Sequence, residues 1–401
     1  MLIHDDCLHG IKTLARESVD MVYLDPPFFT QRQQAAQDAD GTTYSFSDIW
    51  DSRRSYLFFL KERLSEMHRV LKDTGSIFLH CDPSSSHYIR ILLDEIFGEK
   101  NFRSEIIWAY KRWSNSKKGL MAGHQTIFFY SKSQNFKFHV VYGEYSPTTN
   151  LDQILQERER NTAGKASYKR DSEGNIIMAR EKRGVPMADV WNIPFLNPKA
   201  KERVGYPTQK PIELLQRILR ISTDEGDLVL DPFCGSGTTL VAAKLMRRSY
   251  IGIDTNADAI QLCQKRLSDP VKTESAFLKL GVTPYQTKTP SEMAILNQFE
   301  CNIVQRNKGI DAFLRKHYLG APVAVKIQKE TESLQEAVTL LDRAAQKKQC
   351  SFTILIRQND ESSQCSVNIP PNMIVINSNS LETKKKLAEL LEKSNTNKIA
   401  Q

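Results

Sequence analysis

Two spacings of apolar residues alternate along this chain. Short, mainly apolar blocks lie at 19–24, 76–79, 106–108, 126–130, 228–230 and 250–253. Such blocks suit strands buried on both faces. Between them run stretches with an apolar residue every third or fourth position, the helical period. The clearest spans 54–71, with Leu57, Leu60, Leu64, Met67 and Leu71 on one face; others lie at 87–97, 211–219, 238–245 and 257–267. Pro26 stops the first strand, Gly75 breaks the chain between the helix at 54–71 and the strand at 76–79, and Pro211 suits a helix first turn. The alternation predicts an α/β fold, a parallel or mostly parallel sheet with helices on both faces.

Two regions leave this rhythm. Residues 140–205 are rich in Lys, Arg, Glu, Asn and Gly and show little apolar period. They read as an insertion or a weakly cored subdomain suited to lie against a ligand, with a surface excursion as the plainer alternative. Beyond Thr273 a second unit follows, with strands expected at 322–327, 351–356 and 372–376 and helices at 334–345 and 381–391. The expected division is therefore 1–273 and a small α/β domain at 274–401.

Charge and cysteines narrow the setting. Across 401 residues, 55 Lys and Arg against 47 Asp and Glu leave a formal charge of +8, which favours a polyanionic partner without concentrating it anywhere. Seven cysteines without CxxC spacing point to a reducing compartment and away from a zinc cluster or a disulfide framework. His4, Asp5 and Asp6 interrupt the N-terminus, which does not read as a signal peptide. No apolar run approaches the roughly 20 residues of a membrane span. The expectation is a soluble, cytoplasmic protein.

Candidate chemistry sits at two strand ends. At the first, Asp25-Pro26-Pro27-Phe28 combines a carboxylate, rigid carbonyls without competing N–H donors, and a ring. An aromatic amino nitrogen is a poor nucleophile because its lone pair is delocalised. Acceptors on its two hydrogens, here Asp25 and the Pro26 carbonyl, favour a tetrahedral nitrogen, and Phe28 or Phe29 can stack on the base. At the second, Asp231-Pro232-Phe233-Cys234-Gly235-Ser236-Gly237-Thr238 joins a strand to a helix through two glycines, suiting close approach of a ligand to a helix N-terminus. It is neither a P-loop nor a dinucleotide fingerprint. Asp254 ends the next strand, where an acid can accept ribose hydroxyls. His80-Cys81-Asp82 reads as loop or pocket wall, and Lys111, Arg112, Lys117 and Lys118 beside Trp108 and Trp113 suit DNA backbone contact and stacking.

Together these residues resemble the DNA methyltransferases that use S-adenosylmethionine to methylate adenine N6 or cytosine N4. The resemblance covers about residues 1–270. Asp25-Pro26-Pro27-Phe28 is similar to the catalytic tetrapeptide and residues 231–239 to the cofactor loop. Tyr206-Pro207-Thr208-Gln209-Lys210-Pro211 is similar to the segment beside the methionine part of the cofactor, and Asp6-Cys7-Leu8 to a turn near its adenine. The catalytic motif comes first, which resembles the beta arrangement. That order implies a Rossmann-like seven-stranded sheet in circularly permuted order, with target recognition in 140–205.

By this resemblance the cofactor is S-adenosylmethionine and the partner is double-stranded DNA bearing a flipped base. The enzyme would act as a monomer or a homodimer near the nucleoid, and a companion restriction endonuclease is compatible with it. No metal is called for. Asp25 favours adenine N6, since cytosine-N4 members often carry Ser there. Cytosine N4 is the near alternative, and a catalytically silent DNA-binding protein the distant one. In the C-terminal unit, Asp311 with Lys326 faintly resembles a PD-(D/E)xK nuclease core, but Ala324 stands where the second acid belongs, so a noncatalytic role is expected.

Overall fold

In the computed structural model the described residues are 1–37, 41–111, 119–143, 145, 156–160, 164–178, 184–274, 286–359 and 367–399. The chain divides into two compact units, Met1–Glu274 and Ser275–Gln401.

Unit one is built on eight strands: β1 Leu2–His4, β2 Val19–Leu24, β3 Leu71–Cys81, β4 Phe102–Ala109, β5 His124–Ser131, β6 Val190–Asn192, β7 Leu228–Asp231 and β8 Ser249–Asp254. Their order across the sheet is β1-β8-β7-β2-β3-β5-β4-β6. β2 is buried at all six positions, as a central strand covered on both faces must be, and Asp25-Pro26 ends it because proline has no N–H for the ladder. Val229 pairs with Met21 and Leu230 with Val22 in parallel register. The two halves of the chain therefore meet at the middle of the sheet, the arrangement of a permuted Rossmann-like fold. The tetrapeptide and the glycine loop leave the carboxyl ends of adjacent parallel strands, where open α/β sheets form their ligand crevice.

The sheet is mixed and has eight strands where seven were expected. β5 runs antiparallel to both β3 and β4. The extra strand, β6, comes from the polar segment 140–205 and pairs in parallel with β4. Three residues are too few to show a period. What fastens β6 is tertiary: Trp191 is buried, and Trp108 Nε1 donates to the Ile193 carbonyl at 2.8 Å. The rest of the described part of this segment holds small antiparallel pairs, Tyr142–Gly143 with Val185–Pro186 and Arg158–Arg160 with Ala166–Tyr168.

Around the sheet lie α1 Cys7–Lys12, α2 Arg53–Val70, α3 Ser86–Phe97, α4 Ile212–Ser222, α5 Thr238–Leu245 and α6 Ala257–Ser268. Ser52 and Ser55 close a capping box at the start of α2, which buries Tyr56, Leu60, Leu64 and Met67 against the strands. Gly75 lies within β3 and does not break it. A Cβ there would come within 2.9 Å of Leu71 Cδ2 and 3.0 Å of the Asp20 carbonyl, so glycine permits the close approach beside the register shift between β2 and β3. Among the elements not foreseen are β1, α1 and the hairpin Gln33–Gln37 with Thr43–Ser47 that follows the tetrapeptide.

Unit two carries a five-stranded sheet in the order Cys301–Ile303, Ala312–Leu314, Val323–Ile327, Phe352–Arg357 and Met373–Asn377. The helix Leu334–Lys347 covers one face through Ala337, Val338 and Leu341, while Val325 and Ile327 pack on the other with Leu296 and Ile356. Among the described residues no helix of the chain is long and apolar enough to cross a membrane.

Candidate active site

The residues at the end of β2 are held from three sides. The Asp25 side chain is 19% exposed; its Oδ2 forms an ion pair with Lys210, and its Oδ1 is buried without a hydrogen-bond partner. Beneath it His80 on β3 is fully buried, with Nδ1 hydrogen-bonded to the Tyr23 hydroxyl at 2.8 Å and 3.9 Å from Asp25 Oδ1. Burial, and then the Lys210 charge, hold the His80 imidazole well below its ordinary range, so it is neutral. Burial also raises the Asp25 carboxyl above its ordinary range; Lys210 opposes that rise and Asp48 adds to it. The chain beyond Asp25 is tied down by Asp48, which accepts from the Phe28 N–H at 2.8 Å, the Thr30 hydroxyl at 2.8 Å and Gln34 Nε2 at 3.1 Å. Trp50 Nε1 donates to the Phe28 carbonyl at 3.1 Å.

The glycine loop is fastened just as firmly. Asp254 takes the Gly235 N–H on Oδ2 at 2.8 Å and the Asn256 N–H on Oδ1 at 2.9 Å. Behind the loop Arg266, buried on α6, donates through Nη1 to the Ser236 carbonyl at 2.6 Å and to the Ser236 and Thr238 hydroxyls at 3.1 Å each. Gly237 caps α5 at φ +76°, a left-handed conformation, and a Cβ there would stand 2.7 Å from Cys263 Sγ. At Gly235 a Cβ would meet the Tyr206 ring at 3.0 Å. Asp231 accepts from the Phe233 N–H at 3.1 Å, and burial pushes its carboxyl up to about 7.

Between the two strand ends lies a cavity of about 690 Å³, within the usual size of a small-molecule site. Of the residues singled out from the sequence, Asp25, Pro27, Thr208, Lys210, Asp231, Phe233, Gly235, Ser236, Thr238 and Asp254 line it. Pro26, Phe28, Pro232 and Gly237 shape the two loops without appearing in its wall. Phe28 stands 6.1 Å from the His80 ring and 5.7 Å from Lys210 Nζ, whereas Phe29 packs on Tyr56 and the core and is not available to stack on a base.

Asp6 and Cys7 lie away from the cavity wall. Asp6 caps α1 through the Leu8 N–H at 2.8 Å and pairs with Arg63 at 2.8 Å, while Cys7 is buried beside Arg63 Nε. Trp108 is also placed otherwise than expected. It is a core residue packed edge-on against His80, so it has no face to offer DNA. Lys111 is exposed, and Arg112, Trp113, Lys117 and Lys118 lie outside the described residues. His80 and Cys81 belong to β3 and not to a loop.

Several wall and anchoring residues carried no local signal. Ser45, Phe46 and Ser47 of the hairpin and Asn256 and Asp258 at the start of α6 line the cavity. Glu202 binds the Ile212 N–H at 2.7 Å and the Thr273 N–H at 3.0 Å, and its carbonyl accepts from Gln209 Nε2 at 2.8 Å. Within that fastened segment Thr208 sits at φ +59°, strained for a β-branched residue.

A family model described as DNA methylase matches residues 19–265. The DNA adenine methyltransferase YhdJ of Escherichia coli (strain K12) is 30% identical over 307 residues, covering 76% of this chain and 95% of its own length. Type II methyltransferase M.HpaI of Haemophilus parainfluenzae is 32% identical over 266 residues, 66% of this chain and 73% of its own. Among solved structures, the cytosine-N4-specific PvuII DNA methyltransferase aligns with a TM-score of 0.47 at 15% identity, covering 67% of this chain and 86% of its own.

Proposed function

Because the chain belongs to the DNA methylase family of amino-methyltransferases, we propose that it methylates the N6 amino group of an adenine flipped out of double-stranded DNA. The protein is an S-adenosylmethionine-dependent DNA methyltransferase; the choice of base and the roles of its residues are our reading. What carries that reading is Asp25, a residue of the cavity wall with one carboxylate oxygen held by Lys210 and the other buried and without a hydrogen-bond partner. The curated relative named as an adenine methyltransferase supports the base.

The cavity fits the cofactor. Asp254 would hold ribose hydroxyls and Asp231 and the Thr208 segment would flank the amino acid part, with Gly235, Ser236 and Thr238 in the same wall. When bound, the cofactor supplies an electrophilic methyl on a sulfonium centre. The chain's own residues prepare the nucleophile. Asp25 Oδ1 and the Pro26 carbonyl accept the two amino hydrogens, freeing the nitrogen lone pair, and Phe28 stacks on the ring. As positive charge grows on the nitrogen, the fixed Asp25 carboxylate stabilises it without reorganising. Holding both reactants in one crevice supplies much of the remaining acceleration. Extrusion of the base costs a few kcal/mol, which contacts from 140–205 and from Lys111, Arg112, Trp113, Lys117 and Lys118 would offset.

For the C-terminal unit we propose a structural or DNA-contacting role. Asp311 there accepts the Ile327 N–H at 2.7 Å and pairs with Lys288, and Lys326 pairs with Glu332 at 2.9 Å.

The deciding experiment is nucleoside mass spectrometry on DNA from cells expressing the protein. N6-methyladenine is expected. N4-methylcytosine would overturn the base assignment, and neither product would overturn the reaction.

A further inference from the structure

We propose that Lys210 is the positioning residue of Asp25, binding its Oδ2 and leaving Oδ1, the oxygen without a hydrogen-bond partner, as the acceptor for the base amino group. This rests on the reading that Asp25 receives that group, and for Lys210 alone it replaces the contact with the cofactor's methionine part that the motif implied. The Lys210 side chain is 6% exposed, and Nζ has two recorded acceptors, Asp25 Oδ2 and the Thr208 carbonyl at 3.3 Å. Thr208 itself is held at φ +59°. The strain is sustained by its neighbours: Gln209 spans the Val204 N–H at 3.0 Å and the Glu202 carbonyl, and Glu202 grips the start of α4. An uncommon backbone conformation and a set of buried hydrogen bonds thus aim one ammonium at one carboxylate.

The pairing matters because the rest of Asp25's surroundings favour the protonated acid, which would donate a hydrogen where the base needs an acceptor. Burial disfavours the charge, and Asp48 and Asp231 are acids acting on the same site. Tyr23, Tyr56, Tyr206 and Cys81 are all held in their neutral forms by burial, and His80 is neutral as well. None of these supplies a positive charge, and Lys210 does.

The test uses the full chain with Lys210→Met and Lys210→Arg. Cofactor Kd is measured by calorimetry and the single-turnover methylation rate across about pH 6–9. For Lys210→Met we expect a cofactor Kd within about 3-fold of wild type and a rate loss of about 100-fold at neutral pH. Its acid limb should move to higher pH, because the unpaired carboxyl loses its proton later. Lys210→Arg, which keeps the charge, should restore much of the rate and return the limb. A rate loss that saturating cofactor repairs would make Lys210 a cofactor ligand and overturn the proposal, as would an unmoved acid limb. If Lys210→Met does not fold, the arginine variant decides: a wild-type limb sustains the proposal and a shifted one overturns it. Failure of the underlying reading looks different, since Asp25→Asn would then keep wild-type turnover whatever Lys210 does.

Discussion

Asp48 Oδ1 accepts the backbone N–H of Phe28 at 2.8 Å, so the loop carrying Asp25-Pro26-Pro27-Phe28 is fixed by a side chain twenty positions further along. The same carboxylate takes the Thr30 hydroxyl and Gln34, drawing the start of the hairpin into the same knot. Asp48→Ala removes the acceptor of all three hydrogen bonds at once. Chemical denaturation should show a loss of about 2 kcal/mol. Methylation should fall about 10-fold or more with cofactor Kd nearly unchanged, because the loop loosens on the base side of the cavity only.

Asp25→Ala should abolish methylation while calorimetry still detects the cofactor. Retained turnover would end the role assigned to this carboxylate.

At Gly237 two penalties combine, the left-handed backbone and the 2.7 Å approach to Cys263 Sγ. Gly237→Ala should cost about 1–2 kcal/mol for the backbone alone, plus the cost of the overlap. The double variant with Cys263→Ala should recover the second part only. Thermal melts of the three proteins separate the two contributions.

Asp231 gives a pH dependence with a definite sign. Its carboxyl rises from an ordinary 3.8 to about 7 in the folded chain, so its ionisation opposes folding. The stability it contributes is complete below the ordinary value and is lost as pH rises through about 7. A cationic cofactor group beside it reverses the preference, so cofactor affinity should rise over the same interval. Asp231→Asn should flatten both trends in melts recorded with and without S-adenosylmethionine.

Arg266→Met strips three hydrogen bonds from the back of the glycine loop and leaves the Ser236 carbonyl without its donor. Stability should fall by about 3 kcal/mol and cofactor Kd should weaken about 10-fold. Lysine should rescue only in part, because it lacks the planar fork. Calorimetry and melts together check this.

What could be read from the chain follows from the range of the forces involved. β2, β7 and β8 announce themselves because central strands are mainly apolar, and α2 because its buried face repeats every turn. Asp25 and the glycine loop are legible because local backbone chemistry specifies them. The hairpin at 33–47 escaped notice because Gln, Ala and Ser on its first strand give no apolar alternation. β6 is fixed by Trp108, more than eighty residues away in sequence, and not by its own three residues. Asp48, Glu202 and Arg266 are ordinary polar residues until the fold brings a backbone group to them. Lys210 is the instructive case: its motif placed it near the cofactor loop, and only the structure pairs it with Asp25.

The pairing of Val229 with Met21 also bears on how the protein comes into being. During synthesis β2 emerges some two hundred residues before the strand that completes its other edge. Until then the nascent first half carries an open, apolar sheet edge at its centre, the kind of surface that invites wrong pairing. A contact of such long range makes assembly slow relative to local structure. The catalytic half should therefore depend on the later half for solubility. Expressed separately, fragments cut within 140–205 should aggregate, and expressed together they should rejoin along β2 and β7.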